Sequence, residues 1–285
     1  MSKSTHFIGH PLLGQLLSLI DQVDVHRISK KHGGEHYVKH FDAWHHLVTM
    51  LYAIIMRFDS LREIQLSMTA ESRKLSHLGL TKIPKRSTLS DANVRRSEVI
   101  FGELYATLYD KHKGVLSSDS RNRGSTPSWL RKLKIMDSTT ISLFSNLVFK
   151  GVGRNPKRGK KKLISLLTND FEMPEQDIID IYRKRWMIET LFKQLKQNFP
   201  LRYFYGESAN AIKIQVWCTL IANLLVMLIK RSVRRSWSFS GLATMIRILM
   251  MYYVNYKSIL EYPEKDWDLM IEEVIRPPNH LSLFD

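Results

Sequence analysis

The sequence has one cysteine and few acids, and both shortages narrow what the chain can be. Cys218 stands alone inside an apolar run, which excludes a disulfide framework and a cysteine-based zinc module. A reducing cytosol is the compartment that fits. No apolar run reaches the roughly 20 residues that a membrane-spanning helix needs. The strongest, Val216 to Ile229, falls short of that length and contains Asn223, so a buried helix of a soluble protein is expected there. The amino-terminal stretch MSKSTHFIGHPLL lacks the apolar core of a secretory signal. Repeats and low-complexity tracts are missing too. Acids number 27 against 43 Lys and Arg, a formal net charge of +16 across 285 residues. That imbalance favours a polyanionic partner, either nucleic acid or an anionic membrane surface. The charge is concentrated: Asp119 to Lys162 holds 12 Lys and Arg against two acids, a net +10.

Strand patterns are absent from the first 118 residues. Pro11 to Ile28, Asp42 to Phe58, Leu61 to His77 and Thr88 to His112 each carry helical apolar spacing, with Ser87 placed to cap the last. Gly33-Gly34, Asp59-Ser60 and Gly79 to Arg86 punctuate them. Histidine is dense here, at positions 26, 32, 36, 40, 45 and 46, but no zinc-ligand pattern accompanies it. Lys82, Lys85, Arg86, Arg95 and Arg96 lie in and after the third break, where a helix-turn-helix would put residues against phosphates. The break is longer than such a turn requires. Asp119 to Ser128 reads as a linker. Trp129 to Leu143 then turns β-like, with Asp137 interrupting its apolar residues. An aspartate there marks either a functional site or the end of a strand.

The most informative stretch is Tyr182 to Lys196, YRKRWMIETLFKQLK. On a helical projection, Tyr182, Arg185, Glu189, Lys193 and Lys196 share one narrow strip. Ile181, Ile188, Leu191, Phe192, Leu195 and Phe199 fill an adjoining apolar arc. One helix therefore offers a face to bury and, at its edge, a carboxylate ringed by cations. Beyond Phe199 the chain reads helical again, from Glu207 to Arg235 and from Phe239 to Leu260. Met250, Met251, Tyr252 and Tyr253 are expected in the core. Lys230, Arg231, Arg234 and Arg235 either meet the negative end of their own helix or contact phosphates.

The spacing Y-x2-R-x3-E-x6-K resembles the motif of bacterial DDE transposases in the IS-four insertion-sequence family. The words IMDSTTISL, LLTND and RWMIETLFKQLKQNF resemble that family in the same order, and STLSDAN is similar to its amino-terminal domain. The resemblance implies an RNase H-like catalytic fold, a DNA-end-binding amino-terminal domain and two divalent ions, Mg²⁺ or Mn²⁺, held by an Asp-Asp-Glu triad. It makes Asp137 the first member and Glu189 the third, both metal ligands and catalytic. Tyr182, Arg185, Lys193 and Lys196 would contact DNA. Double-stranded DNA, as transposon end and as target, is the implied partner, with no membrane. A homodimer or a mixed oligomer with full-length transposase, in the bacterial cytoplasm at the nucleoid, completes the expectation.

Glu189 follows Asp137 by only 52 residues. The second aspartate belongs on the fourth strand of such a core, and four strands, a helix and their loops need roughly 60 residues or more. Asp170, Asp177 and Asp180 are the only aspartates late in that interval, and none stands in the expected context. An internal deletion joined near Lys160 to Lys162 accounts for the shortfall. The expected fold is α+β and predominantly α. It comprises a helical domain over 1–118, a linker over 119–130, a truncated RNase H-like core over 131–199 and a helical segment over 200–285 packed on that core. Two functions remain open: a transposase, or a non-catalytic end-binding protein that inhibits the intact enzyme.

Overall fold

A computed structural model of the chain describes residues 10–80, 82–116 and 188–264. Apart from a single bridge residue, Val254, the described residues form helices and the turns between them. In chain order these are α1 (Leu12–Leu17), α2 (Gln22–Lys31), α3 (Ala43–Met56), α4 (Leu61–Ala70), α5 (Ser72–Ser76), α6 (Arg86–Arg95) and α7 (Val99–Leu116). After the gap come α8 (188–198), α9 (Ala209–Ser232), α10 (Phe239–Leu249) and α11 (Tyr256–Glu261). The linker, the strands expected around Asp137 and at 163–168, the start of the expected catalytic core and the inferred deletion lie outside the described residues.

Short polar residues start most of the helices. The side chains of Asp21, Asp42, Ser60, Ser208, Ser238 and Asn255 each accept a backbone N–H from the first turn that follows. These caps divide what periodicity alone joins. Pro11 to Ile28 is two helices because Asp21 caps a new one. Thr88 to His112 is also two, and Ser87 lies inside α6 rather than capping it. Gln65 supplies that cap instead, its side-chain oxygen accepting from Arg86 N at 3.0 Å. The segment from Phe239 to Leu260 breaks over 250–255, where the carbonyls of Met250 and Tyr252 accept the backbone N–H groups of Leu13 and Leu12. Met250 and Met251 are buried as expected, whereas Tyr252 is 59% exposed under the Lys74 ammonium.

The core is shared by helices from both ends of the chain. α9 packs against α7, α3, α10 and α6. Its buried Ile214, Ile221, Leu224, Leu225, Val226, Leu228 and Ile229 meet a layer from α3 that includes Leu47, Leu51 and Ile54. At about 1.5–3 kcal/mol per buried aliphatic side chain, those seven contribute on the order of 10–20 kcal/mol before conformational entropy is charged against them. α9 is long and apolar enough to cross a membrane, but 67% of its apolar window is buried inside the protein, as befits a core helix. Polar bonds follow the same route. Arg247 donates to the Ile55 carbonyl, the Tyr205 hydroxyl donates to the Phe58 carbonyl, and Gln15 exchanges bonds with Val254 and Tyr256. Where α7 crosses α9, Gly102 faces Trp217, and a Cβ there would come within 3.0 Å of the indole.

The break between α6 and α7 is held from a distance. Asn210, in the first turn of α9, donates to the carbonyls of Asn93 and Arg96 at 2.8 Å, and its oxygen accepts from Glu98 N at 3.0 Å. One side chain thus satisfies carbonyls at the end of α6 and the N–H group just before α7. Asn210→Ala is expected to destabilise the protein by about 2–3 kcal/mol. Ser238→Ala, which removes one ordinary cap, should cost about 1 kcal/mol. Urea unfolding of the two variants checks the ranking.

Candidate nucleic-acid interface

Of the residues that the sequence assigns to the site, Asp137, Tyr182 and Arg185 lie outside the described residues. Glu189, Lys193 and Lys196 sit on α8. Leu195 and Phe199 are buried and Leu191 and Phe192 pack on the core, so the apolar arc read from the sequence is the face that docks. Lys193 and Lys196 project to solvent and Glu189 is half-buried at the margin. Polar contacts fix the helix along its length. Gln194 donates to the Asn223 side chain at 2.6 Å, and the Asn198 carbonyl accepts from Arg247 at 3.3 Å. The described residues thus supply one carboxylate and two lysines from the expected set.

A second cationic region is assembled by folding. Residues 33–41 form an irregular loop between α2 and α3, and Lys82 to Arg95 faces it across a groove of about 780 Å³. Arg96, which a helix-turn-helix would set against a phosphate, is 5% exposed and points inward. Its guanidinium donates to the Gly34 carbonyl (3.2 Å), the Phe41 carbonyl (2.8 Å) and His46 Nδ1 (3.1 Å). It therefore ties both ends of the loop to the end of α6. Among the described residues no carboxylate pairs with it directly, and burial pulls its pKa down. Gly34 suits the space beneath this clamp, since a Cβ would fall 2.5 Å from Ile100 Cδ1 and 2.6 Å from Ser29 Oγ and push those side chains aside.

The clamp sets the chemistry of two adjacent histidines. His46 accepts from Arg96 at Nδ1, so its proton is on Nε2, where it donates to Asn93 Oδ1 at 2.8 Å. Complete burial first, and the Arg96 charge second, push its pKa down to about 3. His45 does the opposite. Nδ1 bonds Asp42 at 2.6 Å and Nε2 lies 3.2 Å from the Gly79 carbonyl, so both nitrogens have acceptors. The Asp42 hydrogen bond leads the causes that raise its pKa. For Asp42 itself, burial acts upward but the bonds from His45 prevail and hold the pKa below the usual carboxylate value. Elsewhere Lys31, at the end of α2, and His32, just past it, converge on Glu103 of α7, at 2.9 Å and 2.7 Å. Among the described residues no three His, Cys, Asp or Glu side chains gather as metal ligands would.

The basic end of α9 has its own partners. Lys230 and Arg231 lie in the last turn, where cations oppose the helix dipole. Arg235 forms a two-pronged pair with Glu264 at 2.7 and 2.8 Å and lies over the Trp237 ring. The loop at 33–41 and the Arg96 clamp escape sequence reading. The only hint is Gly33-Gly34, because nothing local separates a buried Arg96 from its exposed neighbour Arg95.

Parts of this chain match known proteins. Residues 8–81 match a family described as a domain of unknown function, DUF4372, a segment that reaches from before α1 past α5. A protein of Sinorhizobium fredii named as transposase y4zB is 34% identical over 105 residues, which cover 34% of this chain and 28% of that protein. The named transposase of insertion sequence element IS4SA, from Synechocystis, is 40% identical over 55 residues, 19% of this chain and 16% of the relative. These relatives are named as transposases. A third, named for element IS5377 of Geobacillus stearothermophilus, is 32% identical over 63 residues, 22% of this chain and 17% of its own. The chain spans less than a third of the length of each transposase that it matches here. No solved structure matches.

The histidine pair gives a pH prediction. The unfolded chain takes a proton on His46 near its ordinary pKa, whereas the folded chain resists it down to about 3. That group's share of stability is therefore complete above about pH 6.5 and lost as the pH falls. At about 1.4 kcal/mol per pH unit, the loss reaches about 2–3 kcal/mol by pH 4.5. The Asp42–His45 pair contributes fully between the unfolded pKa values, about pH 4 to 6.5. Its share fades as the pH rises through the elevated His45 pKa or falls through the depressed Asp42 pKa. In urea titrations, His46→Gln should flatten the decline between pH 6.5 and 4.5, while His45→Gln should lower stability across that window and remove the further loss that accompanies a rise above pH 6.5.

Proposed function

We propose that this protein is a DDE transposase by lineage, of the IS-four insertion-sequence family. Its work is to bind DNA at insertion-sequence ends and to support strand cleavage and transfer there. The observation that carries this reading is the similarity to insertion-sequence transposases, joined to the ordered words IMDSTT, LLTND and YRKRWMIETLFKQLK in one chain. Asp137 and Glu189 are the proposed metal ligands for Mg²⁺ or Mn²⁺. Bound ions would neutralise charge on the transferring phosphate and orient the attacking and leaving oxygens. Tyr182, Arg185, Lys193 and Lys196 are the proposed DNA contacts near the scissile bond. Exposed lysines on a helix whose opposite face is anchored by Leu195 and Phe199 suit that role, because their attachment is rigid while their side chains lie on the solvent side. The duplex end and the target are the partners, either on a homodimer or on a mixed oligomer, in the cytoplasm at the nucleoid.

A second reading is favoured by the 52-residue spacing of Asp137 and Glu189. Two assigned carboxylates fall short of the three that such chemistry uses, and an internal deletion near Lys160 to Lys162 accounts for the missing one. The protein would then occupy transposon ends without cutting them and inhibit the intact transposase by competition or by mixed assembly.

One assay separates the readings. A labelled duplex that carries a transposon end is incubated with the full chain and Mg²⁺ or Mn²⁺. Metal-dependent cutting that Glu189→Gln reduces by at least 100-fold supports the enzyme. Tight, salt-dependent binding with no cleavage supports the inhibitor and removes the catalytic reading. Cutting that ignores the end sequence would instead make the protein a nuclease outside transposition.

A further inference from the structure

We infer that the groove between the 33–41 loop and α6 holds a nucleic-acid strand, with Tyr37 serving as a stacking platform for one unpaired base. The inference rests on the proposal that the partner is nucleic acid, and it places the contact on a surface separate from α8.

Three observations converge on this groove. The first is charge: Lys39, Lys82, Lys85 and Arg95 line it against one acid, Asp91, which is itself paired with Arg95 at 3.1 Å. Behind them lies the buried Arg96 guanidinium, bonded to carbonyls and an imidazole, with the Glu35 and Asp42 carboxylates near enough to act on its charge without touching it. The potential on the groove floor therefore favours an anion.

The second is Tyr37, which is 92% exposed and whose backbone sits at φ 57°. A bulky side chain in the left-handed region is strained and persists only where the surroundings enforce it. Here the strain sets an aromatic ring in solvent, where it returns no burial energy. A ring beside a row of cations is the arrangement that stacks bases and tracks phosphates.

The third is rigidity. Arg96 fastens the loop at Gly34 and Phe41, and Lys82 Nζ meets His40 Nε2 at 3.5 Å across the groove. The platform is thus prepared before the ligand arrives, which lowers the ordering cost of binding. A membrane surface fits less well, because the groove is concave and presents one exposed aromatic rather than an apolar face.

Fluorescence anisotropy of the full chain tests this with a 20-nucleotide single strand and a duplex of the same sequence, each over a range of salt. Tyr37→Ala is expected to weaken single-strand binding about 5- to 100-fold and duplex binding less. Lys82→Gln with Lys85→Gln should weaken both, and should lower the single-strand salt slope by about 0.7 for each phosphate that is no longer neutralised. All three side chains are exposed, so thermal melting should not move. Lys111→Gln, an exposed lysine on α7 outside the groove, serves as the control. Groove variants that bind like wild type, while Lys193→Gln and Lys196→Gln bind poorly, overturn the groove and leave the transposase reading intact. A wild-type chain that binds neither probe overturns both. If only the lysine variants lose affinity, the stacking role of Tyr37 is overturned.

Discussion

The described structure depends on the burial of α9. This helix carries a long apolar surface, and that surface is covered by α3, α7 and α10, which come from both sides of residues 117–187. The amino-terminal segment that matches a family of its own does not close its core alone. α3 needs α9 over it, and α1 spends two backbone N–H groups on carbonyls at 250 and 252. Residues 10–116 and 188–264 thus share one hydrophobic core.

On that frame a few buried polar groups determine the surface. Arg96 costs desolvation energy to bury, and its bonds to two carbonyls and an imidazole offset that cost. Removing water from one arginine shapes a loop, ends a helix and fixes the tautomer of His46. Asn210 completes the work from α9 by holding the junction of α6 and α7. The exposed cations of the groove are therefore positioned by groups set behind them, Arg96 buried and Asn210 half-buried. This division resembles binding sites in general, where rigid support lies one layer behind the contacts.

Periodicity and motif differ in how far they reach. Helical character, the buried α9 and the docking face of α8 are legible in the sequence, because each is written in the spacing of apolar residues within one segment. Helix limits are less so. Asp21 and Asn255 each cap a new helix inside what pattern alone joins, and apolar spacing continues across such breaks. Sequence reading does not separate Arg96 from Arg95, because an arginine beside an arginine has the same local signature whether it faces solvent or core. It misplaces Tyr252 for the converse reason, an apolar neighbourhood in sequence that does not surround it in space.

The sequence by itself determined the predominance of helix, the excess of positive charge and the motif words that join this chain to transposases. These are properties of composition or of residues within one or two helical turns, so no distant partner is needed to read them. Only the tertiary structure decided that both ends of the described chain share a core, that Arg96 is a clamp and that Tyr37 stands beside a cationic groove. Those outcomes rest on pairs such as Arg96 with Gly34, or Asn210 with Arg96, separated by 62 and 114 residues. The free energy of such pairs exists only once the chain has folded, and a local pattern cannot record it.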